Sequence, residues 1–401
     1  MKDEQQVLNQ LQETFETQFQ SSGEAFYFSP GRVNLIGEHI DYNGGYVFPC
    51  AITMGTYGLV KLREDRTIRC YSMNLSDAGV IEFSLDDLSY QASHNWVNYV
   101  KGVITYFNEI TDQSVDRGFD LVVWGNIPNG AGLSSSASLE LLIGVMLNDL
   151  FNQTVDRLDL VRIGQRVEND YLGLQTGIMD QFAIGMGEAE AALYLNVNTL
   201  DYGRVPAEFG NYIILIMNTN KRRELTSSKY NQRRQECEQA LQELQQAVPI
   251  ENLCDLSWDE WSNYSSLIKD PVIRSRARHA ISENERTQQA KMALTQRDLA
   301  TFGQLLNHSH QSLRDDYDVT GPELDAMVEA AWAQPAVLGA RMTGAGMGGC
   351  AIALVDHHYL AETIEKIESA YYQATGLHGD YYTAQVGDGT KKVCQNNERG
   401  S

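Results

Sequence analysis

Apolar residues recur in the first twenty positions at the spacing of one helix face. Val7, Leu8 and Leu11 are followed by Phe15 and Phe19, with glutamine and glutamate between them. Residues three and four apart share one side of an α-helix, whereas alternation by two is typical of a strand. The pattern therefore predicts an amphipathic helix at this end of the sequence.

Strand-like and helix-like runs follow in separate blocks rather than in strict alternation. Strands are predicted at residues 25–29, 57–62, 68–72, 119–124, 192–197, 212–217 and 350–355. Helices are predicted at 139–150, 155–172 and 359–374, and residues 226–332 are mostly helical. A mixture of β-rich and helix-rich blocks indicates an α+β fold rather than a regular βαβ array.

Breaker residues near the middle of the chain mark a candidate domain boundary. Gly203, Pro206 and Gly210 cluster between two predicted strands. At 401 residues, two domains are a better expectation than one core. We therefore expect an N-terminal domain at 1–205, a C-terminal domain at 206–394 and a disordered polar tail at 395–401.

The charge balance limits the partners. The chain has 31 basic and 53 acidic residues, a formal net charge of −22. Such acidity opposes binding to DNA, RNA or an anionic membrane. No secretory signal or membrane-length apolar run is visible, and the six cysteines lack metal-site spacing. These features predict free thiols and a cytoplasmic location.

A glycine- and serine-rich loop at residues 128–136, PNGAGLSSS, lies between a predicted strand and a predicted helix. Glycines allow close backbone approach, and a helix start offers unpaired N–H groups to phosphate. A serine N-cap after a glycine turn is the alternative. The Walker A sequence and the protein-kinase motifs are absent from the sequence.

A second glycine loop, GAGMGG at residues 344–349, formally matches the dinucleotide-binding pattern. It is followed by a predicted strand, CAIALV, whereas a dinucleotide-binding loop must open a helix. We therefore interpret it as a tight turn that lets another backbone or a ligand come near.

Two acidic residues lie in apolar surroundings of helical segments. Glu168 accompanies an apolar stripe in RIGQRVENDYLG, and Asp180 is flanked by Ile178, Met179 and Phe182. A solvated helix glutamate and a helix N-cap are the respective alternatives to a chemical role.

The segment GRVNLIGEHIDYNGG, residues 31–45, carries the densest group of polar side chains. Arg32, Glu38, His39 and Asp41 lie with a tyrosine and an asparagine between glycines. Carboxylates accept hydrogen bonds that Tyr, Asn and His complement, so the group suits several hydroxyls at once. The expected ligand is a polyhydroxylated one, a sugar. A polar surface turn is the alternative interpretation of this segment.

The 31–45 segment, the 128–136 loop and the 344–349 loop, in this order along the chain, resemble motifs of the galactokinases within the GHMP class of small-molecule kinases. The resemblance runs over nearly the whole chain, and PELDAMVEAA, before the last motif, also fits. The 31–45 motif is specific to the galactose branch, and the other two are shared across the class. The family usually has threonine at the position of Ile40, which puts one local hydrogen bond in doubt.

The resemblance implies a role for each matching residue. Asp180 would be the catalytic base, with Arg32 beside the reacting groups. Ser136 and Glu168 would ligate magnesium. Substrate-binding residues would be Glu38, His39, Ile40, Asp41 and Tyr230. ATP-binding residues would be Ser72, Gly130, Ala131, Gly132, Leu133, Ser134, Ser135 and Ser136.

The resemblance also implies a two-domain α+β GHMP kinase fold with the active site in the cleft between domains. The expected reaction transfers the ATP γ-phosphoryl group to the C1 hydroxyl of α-D-galactose, the first kinase step of galactose catabolism. We expect Mg²⁺ as cofactor, D-galactose and ATP as ligands, no nucleic acid or membrane partner, and a monomer.

Two alternatives stay open at this point. The first is another GHMP kinase, acting on an N-acetylated hexosamine. The second is a non-catalytic sensor of galactose and ATP that regulates transcription. The complete Ser134–Ser138 run favours a working enzyme, because the family's non-catalytic relatives lose a Ser-Ala pair there.

Overall fold

The computed structural model describes residues 4–128, 132–221 and 226–394. Its strands are β1 Ala25–Asn34, β2 Tyr46–Val47, β3 Pro49–Leu62, β4 Thr67–Ser72, β5 Ile81–Ser84, β6 Phe119–Gly125, β7 Ala191–Asn196, β8 Tyr202–Pro206, β9 Tyr212–Asn218, β10 Val337–Met342, β11 Cys350–Asp356, β12 Asp380–Ala384 and β13 Lys391–Val393. Its helices are α1 Glu4–Phe19, α2 Val97–Ile110, α3 Ser135–Leu150, α4 Arg157–Arg166, α5 Met179–Met186, α6 Thr226–Leu244, α7 Trp258–Tyr264, α8 Pro271–Thr295, α9 Leu299–Ser312, α10 Pro322–Trp332 and α11 Leu360–Thr375.

Within these residues the strands form three sheets. The largest has the order β13-β1-β3-β6-β4-β5, the second β10-β11-β9-β12, and the third β2-β7-β8. All strand pairs are antiparallel except β4 with β6. The arrangement confirms the predicted α+β class, and helices from both halves of the chain cover the sheets.

The predicted amphipathic helix is confirmed as α1. Its five apolar residues are all buried, and they join Phe26, Leu59 and Val122 from the large sheet in one apolar cluster. The glutamines and glutamates face outward. Burial of one apolar stripe is therefore what holds this helix on the sheet.

The other predicted elements are found at or near the expected positions, with three informative differences. The strand expected at 57–62 is the end of β3, which begins at Pro49. The strand expected at 25–29 continues to Asn34, because β1 resumes pairing with β3 after a bulge at Gly31. The helix expected over 155–172 is α4 followed by a π-helical turn, Val167–Tyr171.

The boundary at residues 205 and 206 stays a prediction. The second sheet is built from strands after residue 206, whereas the late strand β13 pairs with β1 in the large sheet. The chain therefore crosses between the two halves again near its C-terminal end. The predicted tail at 395–401 lies outside the described residues.

Five of the six predicted free cysteines are buried, and Cys394 is exposed. Among the helices of the described segments, none combines the length and the apolar character needed to cross a bilayer.

Helix α9 packs against β10 through two facing glycines. A Cβ on Gly339 would lie 2.1 Å from the carbonyl oxygen of Gly303, and a Cβ on Gly303 would lie 2.4 Å from that of Leu338. The two backbones therefore touch directly. This close approach fixes the helix and the strand that carry Ser309 and Arg341 behind the site described below.

We expect Gly339→Ala to lower the free energy of unfolding by about 1–3 kcal/mol, because the added methyl group meets backbone rather than a movable side chain. The measurement is the midpoint of urea unfolding. Gly203→Ala on β8 is the matched control, since a Cβ there meets nothing within 4 Å. Equal midpoints for the two variants would contradict the close α9–β10 contact.

Candidate active site

A cavity of about 540 Å³ gathers residues from distant parts of the chain. It lies where the 31–45 segment, the start of α5, the start of α6 and the second glycine loop meet. The lining residues are Arg32, Glu38, His39, Asp41, Gly173, Leu174, Gln175, Thr176, Gly177, Met179, Asp180, Tyr230, Asn231, Gly344 and Ala345.

Arg32 lies at the centre of this arrangement because of the bulge in β1. The pairing of β1 with β3 shifts between Pro30 and Arg32, and a Cβ on Gly31 would lie 2.8 Å from the Leu133 carbonyl oxygen. A bulge of this kind re-aims the next side chain. The backbone N–H of Arg32 donates to that same Leu133 carbonyl, at 3.2 Å.

The Arg32 guanidinium is buried and joins two other parts of the site. Its Nε and Nη2 lie 2.8 and 2.7 Å from Oδ1 of Asp180, and its Nη1 donates to the carbonyl oxygen of Gly132 at 2.7 Å. Arginine presents its donors in a rigid fork that suits such multiple contacts. The guanidinium therefore ties β1, the 128–136 loop and α5 together.

Asp180 lies in the first turn of α5 and points into the cavity. Its Oδ2 accepts a hydrogen bond from Ser134 Oγ at 2.5 Å. The N-cap position of α5 is Ile178, and Asp180 makes its contacts across the site instead of to this helix end. The N-cap alternative for Asp180 therefore does not describe its side chain.

The described part of the 128–136 loop leads directly into α3. Ser134 has a left-handed backbone (φ +63°), and α3 begins at Ser135. Leu133 is buried, so its side chain packs inward and its backbone faces Arg32. Gly130 and Ala131, two of the predicted ATP-binding residues, lie outside the described residues.

The two glycine loops touch each other. A Cβ on Gly344 would lie 2.9 Å from the carbonyl oxygen of Gly132, and Gly344 has a positive φ of +84°. The strand β11 begins right after the second loop, at Cys350. The interpretation of this loop as a tight turn that admits another backbone is confirmed.

Glu38 is held by groups far along the chain. Its Oε2 pairs with Nη2 of Arg341 at 2.6 Å, and its Oε1 accepts from the backbone N–H of Gly344 at 3.0 Å. Both charged side chains are almost fully buried. The carboxylate thus lines the cavity with its position fixed from the C-terminal half.

His39 has both ring nitrogens engaged. Nε2 donates to the carbonyl oxygen of Ala345 at 3.2 Å, so Nδ1 accepts from the Tyr42 hydroxyl at 2.8 Å. Burial lowers the pKa of His39 to about 3. The ring is therefore neutral near pH 7 and contributes shape and a fixed tautomer to the cavity wall.

Asp41 faces the same cavity as Asp180. Burial, with the nearby negative charges of Asp180 and Glu38, raises the pKa of Asp41 to about 7. The loop before α5 packs closely here, since a Cβ on Gly177 would lie 1.8 Å from Asp41 Oδ2. Tyr230 closes another side of the cavity, with its ring centroid 5.6 Å from that of His39.

Ile40 is the predicted substrate-binding residue that the structure does not bring into the cavity. Its side chain is fully buried in the main apolar core, packed against Gly45. Its carbonyl oxygen accepts the backbone N–H groups of Asn43 and Gly45. The isoleucine therefore serves packing and the turn, and its side chain lines a different part of the molecule from its neighbours.

A second cavity, of about 210 Å³, adjoins the start of α3. Ser72 lines it together with Ser135, Ser136 and apolar residues, and its contact with the nucleotide stays a prediction. The lining residues are Thr56, Ser72, Asn74, Leu75, Trp96, Tyr99, Val123, Gly125, Ile127, Ser135, Ser136 and Leu139.

Ser136 and Glu168 are adjacent, with Ser136 Oγ donating to Glu168 Oε1 at 2.8 Å. Glu168 is buried, which raises its pKa. Its burial excludes the solvated-glutamate alternative, and it forms no ion pair within the described segments. A carboxylate and a hydroxyl are the hard oxygen ligands that Mg²⁺ prefers, and the pair fits such an ion once phosphate oxygens and water complete the set.

The motifs assigned no role at the site to Arg341 or to residues 173–177. Arg341 lies shortly before the second glycine loop, and residues 173–177 precede Asp180. A charged residue near a glycine motif and a glycine-dotted turn before an acidic residue were the available signals. Neither reveals its partner, because Arg341 and Glu38 are 303 positions apart.

A cavity of similar size, about 490 Å³, lies on the outer side of α8 and α9. Its walls include Trp258, Arg278, Arg286, Ser312 and Asp316. It holds none of the predicted site residues, so the chemistry described here belongs to the cavity around Asp180.

Comparison with known proteins matches this chain to three family models. The model for the galactokinase galactose-binding signature matches residues 13–62. The models for the GHMP kinase N-terminal and C-terminal regions match residues 98–188 and 290–373. Together they contain the whole 31–45 segment, the 128–136 loop with Glu168 and Asp180, and the second glycine loop.

Curated relatives are similar over nearly their whole length. The galactokinase of Exiguobacterium sibiricum is 55% identical over 96% of this chain and 98% of its own. That of Ligilactobacillus salivarius is 53% identical over 95% and 98%.

Solved structures give the same picture of the fold. The Lactococcus lactis galactokinase complexed with galactose superposes with a TM-score of 0.94 at 51% identity, covering 96% of this chain and all of its own. The Methanococcus jannaschii mevalonate kinase, at 20% identity and a TM-score of 0.66, covers 91% and 99% and shares the fold. The expected two-domain GHMP kinase fold is confirmed.

We expect Asp41 to titrate near pH 7 in the free protein, because burial and the neighbouring carboxylates disfavour its charged form. Asp180→Asn removes a nearby negative charge and should lower the pKa of Asp41. Carboxyl-carbon NMR of aspartate-labelled protein measures the pKa of Asp41 in the unaltered protein and in the variant. The Asp41 resonance is assigned by its disappearance in Asp41→Asn. An ordinary aspartate pKa in the unaltered protein, or no fall in the variant, would contradict the like-charge arrangement.

Proposed function

Because the chain belongs to the galactokinases, ATP-dependent sugar kinases of the GHMP class, we propose that the Arg32–Asp180 pair is where its reaction takes place. The reaction transfers the γ-phosphoryl group of ATP to the C1 hydroxyl of α-D-galactose and gives galactose 1-phosphate and ADP. One observation carries the proposal: Asp180 contacts both Arg32, in the 31–45 segment (the sugar segment), and Ser134, in the 128–136 loop (the phosphate loop).

Galactose would occupy the 540 Å³ cavity. Glu38, Asp41 and Tyr230 line it with oxygen atoms, and the neutral His39 ring supports its wall. A carboxylate accepts two or more hydrogen bonds, so Glu38 and Asp41 suit adjacent hydroxyls of one hexose. Ile40 would act through the backbone turn that it stabilises, because its side chain is in the core.

Asp180 would take the proton from the sugar hydroxyl. Its Oδ1 already receives two contacts from the Arg32 guanidinium, whereas its Oδ2 receives one hydrogen bond, from Ser134, among the described residues. Oδ2 is therefore the less neutralised oxygen and the better proton acceptor. A positioned base of this kind contributes about 10²–10⁴-fold to a reaction rate.

Arg32 would stabilise the charge of the phosphoryl group in transit. Its guanidinium lies between Asp180 and the Gly132 carbonyl, so it faces both the acceptor side and the phosphate loop. Phosphoryl transfer depends mainly on positioning and on neutralising charge. A fixed arginine meets both needs in a strongly acidic protein.

ATP would lie along the start of α3, with its base toward the second cavity. Ser72 and Ser135 line that cavity, and Gly132 to Ser136 would surround the phosphates with Gly130 and Ala131. The N-terminal end of a helix carries unpaired N–H groups and a positive dipole end, which favour phosphate.

Ser136 and Glu168 would hold Mg²⁺, which supplies neutralisation of phosphate charge when it is bound. The buried Glu168 carboxylate lacks a cationic partner within the described chain, and the hydroxyl of Ser136 already lies against it. These two residues would therefore orient the nucleotide through the ion that they share with it.

We extend the proposal to the surroundings of the enzyme. Free cysteines suit the reducing cytoplasm, and the net charge of −22 opposes nucleic acid and anionic membranes as partners. A monomer stays a prediction.

We expect Asp180→Asn to lower kcat by about 10²–10⁴-fold while galactose still binds, because an amide keeps the shape but cannot accept the proton. A coupled assay of ADP release measures kcat, and calorimetry measures galactose binding. Asp201→Asn, at an exposed aspartate, is the matched control.

Near-normal turnover by a folded Asp180→Asn protein would contradict the base assignment. The same assay compares galactose with glucose and N-acetylgalactosamine as acceptors. Preference for the N-acetylated sugar would favour the hexosamine kinase alternative, and binding of galactose without ADP release would favour the sensor.

We expect Glu168→Gln to raise the Mg²⁺ concentration for half-maximal activity by about ten-fold or more, because the amide loses the charge that holds the ion. The measurement is a magnesium titration at saturating ATP. Glu64→Gln, in the exposed turn between β3 and β4, is the control. An unchanged titration would exclude Glu168 as a ligand.

A further inference from the structure

Helix α8 faces the sugar segment with two side chains that lie one turn apart. His279 and Glu283 are four positions apart in the helix, so both project from the same face. Both are fully buried, and neither lines the 540 Å³ cavity. The reaction described above gives them no role.

Glu283 contacts the sugar segment, residues 31–45, through the backbone of that segment and not through its side chains. Its Oε1 accepts from the N–H groups of Gly37 and Glu38, at 3.1 and 3.3 Å, and from Ser309 Oγ at 2.6 Å. Its Oε2 accepts from Nε of Arg286 at 2.7 Å. One carboxylate thus receives four donors from three parts of the chain.

His279 holds the next peptide unit, on the other side of the Glu38 Cα. Its Nε2 donates to the carbonyl oxygen of Glu38 at 3.1 Å. Glu283 and His279 together therefore engage the N–H and the C=O of Glu38. The Glu38 side chain is fixed separately by Arg341, whose Nε also donates to Ser309 Oγ at 3.2 Å.

The segment needs such support because its backbone is bent where Glu38 turns into the cavity. Gly37 has a φ of +95°, and a Cβ there would lie 2.8 Å from the Tyr46 carbonyl oxygen. His39 has a φ of +60°. Left-handed backbone at a non-glycine residue persists when the surroundings determine it.

The charge of Glu283 is secured within the same group. Burial opposes ionisation, but the Arg286 guanidinium and the other positive neighbours lower the pKa of Glu283 to about 2. The carboxylate therefore stays an acceptor at every pH at which the enzyme would be assayed. A buried anion whose donors are backbone N–H groups fixes those groups strongly.

We propose that Glu283 is a positioning residue for galactose binding, which orders the 37–41 segment by accepting the N–H groups of Gly37 and Glu38. Glu283 does not touch the sugar. It determines where Glu38, His39 and Asp41 present their polar groups. The inference rests on the proposed function insofar as galactose is taken to bind this segment.

The test is Glu283→Gln, read by kinetics and by amide hydrogen exchange. An amide keeps the size of the side chain but cannot accept hydrogen bonds on its nitrogen, so one set of donors loses its partner. We expect KM for galactose to rise roughly ten-fold, with kcat and KM for ATP changed less than about two-fold. Exchange should become faster in peptides covering 34–45.

Glu285→Gln is the matched control, because it makes the same change two positions along α8. Glu285 lines the outer cavity and accepts a hydrogen bond from Gln289 instead of the sugar segment. We expect this variant to leave both readouts unchanged. If Glu283→Gln does not fold, Glu283→Asp takes its place, since it keeps the charge but withdraws the carboxylate from the two amides.

The outcomes separate this inference from the proposed function. Unchanged exchange at 34–45 in a folded variant would overturn the positioning role. The positioning role would also be overturned if KM for galactose and KM for ATP rose and kcat fell by equal factors, with faster exchange throughout α8 and α9. Such a result would indicate a general structural role. Faster exchange at 34–45 with unchanged galactose KM would overturn the placement of galactose at this segment instead.

Discussion

The site depends on one buried guanidinium. Arg32 contacts Asp180 through two nitrogens and the Gly132 carbonyl through a third, while its backbone binds Leu133. A sheet strand, a loop and a helix start are joined by these contacts. A buried arginine without its partners would be costly, so the three elements must come together for the charge to be tolerated. The cavity around Asp180 and the described end of the 128–136 loop meet at this point as a result.

The acidic groups around that pair have different partners. Glu38 has an arginine, Arg341, at 2.6 Å, and Asp180 has Arg32. Asp41 has no such ion pair among the described residues, and its pKa is raised to about 7 by burial and by its acidic neighbours. The fold therefore gives carboxyl groups of one chemical type different electrostatic environments.

The motifs predicted the charged residues at the cavity, with His39 and Tyr230, but not how they are held. The group from Arg32 to Asp41, the serine loop and Asp180 do converge, as the order of motifs indicated. Ile40 was misplaced, because a residue between two polar neighbours in a bent turn can face the core. Arg341 was missed, since a single arginine next to a glycine loop carries no mark of its partner.

The sequence by itself determined the α+β class, the positions of most helices and strands, and the chemistry of the motifs. These follow from local rules: apolar spacing selects helix or strand, and glycine, serine and acidic residues have few partners that satisfy them. The tertiary structure alone decided that α8 supports the sugar segment through Glu283 and that two glycine loops touch. Those contacts join residues more than two hundred positions apart, and only sheet register and helix packing set such distances.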